Sequence, residues 1–518
     1  MPNVKRLIYE INSIAGGIQA TGNYGGEGQF LASLGIDPEY PLGTLDRPSG
    51  AIASPVYQQF SSDHMTSATT PMFITGAKTT TGVFVYGANG SLVTYSDALL
   101  AVTEDGIGNL ATSSGNGMTD YNDYIYCATN TDIQRFGRLS QTAPAFSGSY
   151  WVTSLGQSAL TNSTYPGTRT VNYPNHFLYP HNDGYLYILD YDGANGRIHA
   201  LITSSDGTGG SAEWDVVQLP PGFMPTCAAP YGTDIAIIMT PQGYNSSQKA
   251  KMALWDTVRG NKPYRFVEIG EPLATAAVNK NGELIIFAGD LGGGCKVLRY
   301  LGGESFEALA SVNEGSPPPA GAVDVRGDCL AWGGHVDYPA TAAGIFTLGH
   351  RSFGMPKFAM HNIARATSTG TFPIVSCLKF LQRTDYPVFG WRTDTPDDYV
   401  LNKIGGAGSH ASVFQSAPIN VGKNFIIRRL KIKLSAAVAA TTIITPTIYV
   451  DNELASFTAG DAGLLAINST NYANSERFID MRDLSINGQH NFYLRLDFTG
   501  TDTNSVILPI VFEIEPYD

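Results

Sequence analysis

One phrase recurs along the middle of this chain, a Gly/Asn/Asp turn followed by a run of apolar, strand-forming residues. It reads Asn89-Gly90-Ser91-Leu92-Val93, then Asn182-Asp183-Gly184-Tyr185-Leu186-Tyr187-Ile188, then Gly232-Thr233-Asp234-Ile235-Ala236-Ile237-Ile238. It returns as Asn281-Gly282-Glu283-Leu284-Ile285-Ile286-Phe287 and as Arg326-Gly327-Asp328-Cys329-Leu330-Ala331-Trp332. The turn glycines 184, 232, 282 and 327 stand 48, 50 and 45 residues apart. A period of about 40–50 residues made of strands and turns marks a β-propeller, one four-stranded blade per repeat. The repeat supplies an architecture and no chemistry, so function has to be argued from elsewhere.

The phrases run from about residue 51 to 410, with units opening at Met72, Tyr124, Tyr185, Ile235, Leu284, Leu330 and Pro387. They give seven candidate blades, the second and last ragged, and six is an alternative reading. A closed ring needs a strand from one end to complete the last blade, and Ile52–Phe60 is the candidate. Residues 1–50 are rich in Gly, Asn and Pro and read as an extended arm, ordered against another surface, with one short helix near Gln29–Leu34. After residue 411 the rhythm becomes strict alternation. Arg429-Leu430-Lys431-Ile432-Lys433-Leu434 and Phe492-Tyr493-Leu494-Arg495-Leu496-Asp497-Phe498 predict strands of a small β-sandwich over 411–518, with Pro446 and Pro509 at strand starts or edges. The expected fold is therefore all-β: an N-terminal arm (1–50), a six- or seven-bladed β-propeller (51–410) and a C-terminal β-sandwich (411–518).

The formal charge of −13 repels phosphate, which disfavours a nucleic-acid reader or wrapper. Five cysteines at wide spacing, with no CxxC, point to buried reduced thiols and assembly in a cytosol. The N-terminus makes a poor signal peptide, and no run approaches a membrane span. The one concentrated positive feature is the stripe Arg428, Arg429, Lys431 and Lys433. It reads as a solvated strand face or as a docking strip for an acidic neighbour.

Linear motifs carry little chemistry. Ser204-Ser205-Asp206-Gly207 with Trp214 resembles the Asp-box turn of sialidase-like propellers, at the wrong spacing and without catalytic meaning. Asp190-Tyr191-Asp192-Gly193-Ala194-Asn195-Gly196 has the oxygen density of a calcium loop but lacks its closing Glu, so a β-turn explains it better. There is no HExxH, no G-x-S-x-G elbow and no phosphate loop opening a helix, and the expectation is no enzyme, no cofactor and no metal.

The arm phrases Gly35-Ile36-Asp37-Pro38 and Arg47-Pro48-Ser49-Gly50 lead into the propeller, which is followed by Ser416-Ala417-Pro418-Ile419-Asn420-Val421-Gly422 and Phe425-Ile426-Ile427-Arg428-Arg429-Leu430-Lys431-Ile432. This layout resembles the β-propeller virion structural proteins of tailed bacteriophages, the tail nozzle, ring or hub components. The resemblance implies a homo-oligomeric ring in the virion tail, assembled in the host cytoplasm, with no membrane insertion. Other tail, neck and portal-proximal proteins are then the partners, arm and sandwich contact neighbours, and genomic DNA passes without specific binding. The competing expectation is a receptor-recognition protein whose propeller Tyr and Trp side chains stack on glycans.

Overall fold

The structure, a computed structural model, describes residues 6–12, the strands between 17 and 152 with the turn at 122–123, most of 176–349, the strands between 360 and 404, and 412–517 except 500–505. Seven four-stranded antiparallel sheets follow one another along the chain. Their first strands are Phe73–Ile74, Gly115–Tyr121, Phe177–Pro180, Phe223–Tyr231, Leu273–Lys280, Val323–Arg326 and Ile374–Phe380. Each first strand adjoins the next, and the seventh adjoins the first, so the sheets close into a seven-bladed propeller.

The recurrent turns join first to second strands. Lys280 pairs with Glu283 across Asn281-Gly282, at φ 53° and 88°. Both central residues are left-handed, the two-residue turn whose twist matches that of its strands. Tyr121 and Tyr124 close over Asn122-Asp123 in the same way, at φ 46° and 67°. The Asn89-Gly90 phrase is out of phase, since Ser91–Tyr95 is the third strand of its blade.

Blades adhere through small residues, aromatic rings and polar stitches. A Cβ on Gly333 would sit 2.1 Å from Val375 Cγ1 of the next blade, so only glycine permits that approach. Tyr187 meets Trp255 edge to face across blades three and four, and Phe287 meets Trp332 across blades five and six. Thr226 and Thr240 hydroxyls donate to the Ala274 carbonyl of the following blade at 2.9 and 2.7 Å, and Thr275 donates to Pro318 O at 2.6 Å.

The expected closing segment Ile52–Phe60 divides between two bodies. Tyr57–Gln59 pairs with Tyr399–Ile404 and completes the seventh blade, whereas Ala51–Ile52 pairs with Val506–Pro516 in the sandwich. The arm is likewise part of the sandwich. Leu7–Ile11 adds to the Val506–Pro516 strand, and Gln29–Leu34, expected as a helix, is a strand paired with Ser412–Ser416. Six residues make under two helical turns, and a ladder to an existing strand satisfies the backbone that so short a helix leaves open.

The two sandwich sheets enclose one core that includes Phe425, Leu430, Ile432, Ile448, Leu484, Phe492, Leu494, Phe512 and Ile514. Val506–Pro516 alternates inward and outward almost without exception, with exposed Pro509 where its register against Phe425–Leu434 shifts. Pro446 lies one residue before the pairing with the edge strand Ala455–Thr458 begins, so its missing N–H costs no ladder bond there. Ser412–Ser416 is buried on both faces. Phe414 belongs to the sandwich core and Val413 to the propeller cluster of Phe287, Trp332 and Phe346. All five cysteines are free and buried.

Candidate functional site

The positive stripe lies on Phe425–Leu434, where Leu430, Ile432 and Leu434 face the core and the cations face out. A bulge at Arg428, opposite the Ile514–Glu513 step, turns Arg428 and Arg429 both outward. Their acidic neighbours belong to the two flanking strands of the same sheet. Arg429 forks onto Asp480 at 2.5 and 2.6 Å and reaches Glu513 at 2.9 Å. Lys431 meets Glu513 at 2.8 Å, and Arg428 meets Glu515 at 2.7 Å. Lys433 lies 5.4 Å from the ring centre of Phe478, an exposed aromatic at the sheet edge. The Arg429 fork, joined by Arg482, holds the Asp480 carboxyl well below the usual carboxylate range, and Lys431 with Arg429 lowers Glu513. The structure thus brings the stripe together with a matching set of acids inside one sheet face.

The third blade holds an arrangement that linear motifs did not reveal. His176 precedes its first strand, Asp190 is in the second (Tyr185–Tyr191), His199 in the third (Asn195–Thr203) and Trp214 in the outer strand (Gly210–Pro221). His176, Asp190 and His199 are all essentially inaccessible. The Asp190 carboxylate accepts from His176 Nε2 at 3.0 Å, from His199 Nε2 at 3.2 Å and from the Tyr191 backbone N–H at 2.8 Å. Burial by itself raises the pKa of Asp190. The hydrogen bonds from His176 and then His199 outweigh it and leave the carboxyl well below its ordinary value.

His199 is fixed from both sides. Its Nδ1 accepts from the Asp215 backbone N–H at 3.0 Å, so the proton resides on Nε2 and points at Asp190. Ala200 pairs with Glu213 and Ile198 with Val217, so Trp214, Asp215 and Val216 bulge opposite the single residue His199. Asp215 takes φ 50° in that bulge. The Trp214 ring meets the His199 ring edge to face at 4.9 Å yet remains 43% exposed. Arg197 holds the Asp215 carboxylate at 3.3 Å, while Arg259, from the neighbouring blade, pairs with Glu213 and stacks on Tyr185 at 3.9 Å. A chain of polar contacts therefore crosses the blade from its inner to its outer strand and ends on an exposed indole.

This assigns Asp190 differently from a calcium loop. Both of its oxygens are taken by imidazoles, and Tyr191 pairs with Gly196 as two blade strands turn. Among the described residues no group of three His, Cys, Asp or Glu side chains converges as a metal site. Residues Ser204, Ser205, Asp206 and Gly207 of the Asp-box likeness lie outside the described residues. Tyr185 and Tyr187 pack at the blade junction: Tyr187 is buried and gives its hydroxyl to Asp183 at 2.6 Å, and Arg259 of the next blade covers Tyr185.

No protein-family model and no curated protein matches the chain. Among solved structures it is similar to the WD40 β-propeller domain of Doa1, at 9% identity and a TM-score of 0.39, over 67% of this chain and 96% of that one. It is similar at 8% identity and the same TM-score to the N-terminal domain of Nup159, over 68% of this chain and 96% of that one. A complex of S. cerevisiae Dbp5 with Nup159 and Gle1 gives the same values. The blade count rests on the strand pairing described above and not on these likenesses.

Proposed function

We propose that this chain is a non-enzymatic structural component of a tailed-phage virion, a nozzle, ring or hub subunit that forms a homo-oligomeric ring in the tail. One observation carries the reading: the first sixty residues staple both bodies. Strands at 7–11, 29–34 and 51–52 complete the sandwich, and 57–59 closes the propeller. The same segment thus makes ladders in both bodies, which suits a part that must hold shape under force. The buried strand Ser412–Ser416 adds apolar contact to both bodies and supports the same role. In that setting other tail and neck proteins are the partners, and an acidic surface lets the genome pass without adhering. The test is the solution mass and negative-stain image of the full chain across concentration, alone and with purified tails lacking it. A discrete ring, or stoichiometric incorporation into such tails, is expected. A monomer that neither assembles nor incorporates refutes the proposal.

A further inference from the structure

We propose that Trp214 is the stacking platform of a saccharide-binding site on the outer edge of the third blade, one that takes neutral hexose units. An exposed indole is ordinary when it is loose, and this one is held. The bulge that presents it puts three residues opposite one and sets Asp215 in the left-handed region, a conformation that costs free energy for a non-glycine residue. Beneath it, His199 is locked between the Asp215 N–H and Asp190, and Asp190 is buried with His176 behind it. Burying a carboxylate and two imidazoles is expensive, and here it fixes the orientation of one exposed ring.

The groups around the ring fit sugar hydroxyls. Asp215 follows Trp214 and is more than a third exposed, at 38%, whereas Glu213 lies with Arg259 beside Tyr185 on the other face of the blade. The Asp215 carboxylate is tied to the Arg197 guanidinium. Carboxylates only accept and guanidiniums only donate, so this pair offers a fixed acceptor beside a fixed donor. A pyranose matches that set: its C–H face lies on the indole while hydroxyls that both donate and accept meet the rim. One carboxylate against one guanidinium leaves the rim neutral, and the chain as a whole is strongly acidic, which selects against sialylated or sulfated sugars.

The test is titration calorimetry of the full chain with maltohexaose, cellohexaose and lacto-N-neotetraose, and with 3′-sialyllactose as the charged counterpart. The variants are Trp214→Ala, Trp214→Phe and, as an exposed aromatic elsewhere, Tyr264→Ala. At least one neutral oligosaccharide is expected to bind. Trp214→Ala should weaken it about tenfold or more, Trp214→Phe less, and Tyr264→Ala not at all. No neutral binding up to about 10 mM, binding unchanged in Trp214→Ala, or binding of sialyllactose alone overturns the proposal. So does a change in solution mass on Trp214→Ala without any sugar binding, since that makes the ring a protein contact. Ring assembly is judged by mass and this site by calorimetry, so either reading fails without the other.

Discussion

Replacing Asp190 with Asn tests whether the buried chain of contacts in the third blade is held by charge. The carboxylate accepts from two imidazoles and one backbone N–H, whereas an amide offers one oxygen and turns an NH2 toward the other side. His199 cannot adapt by moving its proton, because its Nδ1 already accepts from Asp215 N. The amide nitrogen must therefore take the place of the oxygen that accepts from both His176 and the Tyr191 N–H, and the charge-assisted bonds on that side are lost. A hydrogen bond to a charged group contributes about 1.5–3 kcal/mol, so amide exchange within residues 195–203 and 210–221 should quicken by roughly 10- to 100-fold. Hydrogen exchange is the right assay, since a chain with two bodies gives no single two-state melt. The pH dependence has a definite sign. A carboxyl lowered in the folded state stabilises fully above its unfolded pKa near 3.9, and that contribution drains away as pH falls toward the folded value. The wild-type blade should lose protection progressively below about pH 4, and the Asn variant should lack that component. Exchange in Asp190→Asn within twofold of wild type at pH 7 would refute the reasoning.

Gly333→Ala should cut soluble yield or cost about 1–3 kcal/mol, because its Cβ collides with Val375, and Val375→Ala in the same chain should restore part of the loss in thermal melts. Removing residues 1–50 takes strands from both sandwich sheets, so limited proteolysis should cut the 412–517 region of the truncated chain well before the propeller. Arg429→Ala should lower the melting temperature of the sandwich more at 50 mM than at 1 M NaCl, since salt screens the pairs it makes with Asp480 and Glu513; an equal loss at both would show that packing alone is at stake. Native protein should react with a thiol reagent far more slowly than denatured protein, which should yield all five equivalents, because burial pushes the thiols of Cys127, Cys227, Cys295 and Cys377 up and closes access.

The propeller was legible because its tight turns demand left-handed backbone. Asn281-Gly282 and Gly327-Asp328 therefore mark the places where first strand meets second in the fifth and sixth blades. The sandwich was legible because Arg429–Leu434 alternates against a single core face. The arm was not. Gln29–Leu34 carries no period of its own, and its strand state comes from a partner nearly four hundred residues away, which local sequence does not encode. The positive stripe could be read as cations on one face, while Asp480, Glu513 and Glu515 sat on strands whose register only pairing fixes. The Trp214 arrangement was hidden for a further reason. Its members come from three strands of a blade and from the residue just before its first strand, and His176, Asp190 and His199 stand at no spacing that a helix, loop or metal motif would impose.

The pairing of Leu7–Ile11 with Val506–Pro516 bears on how the molecule comes to be made. Leu7–Ile11 is made about 500 residues before its partner, and the whole propeller is threaded out between them. Until then the strand's apolar side chains and open backbone have no ladder to join, and Tyr57–Gln59 waits about 345 residues for its own partner in the seventh blade. Ribosome-bound chains of this protein are thus expected to need a chaperone on residues 7–59 until the later strands emerge.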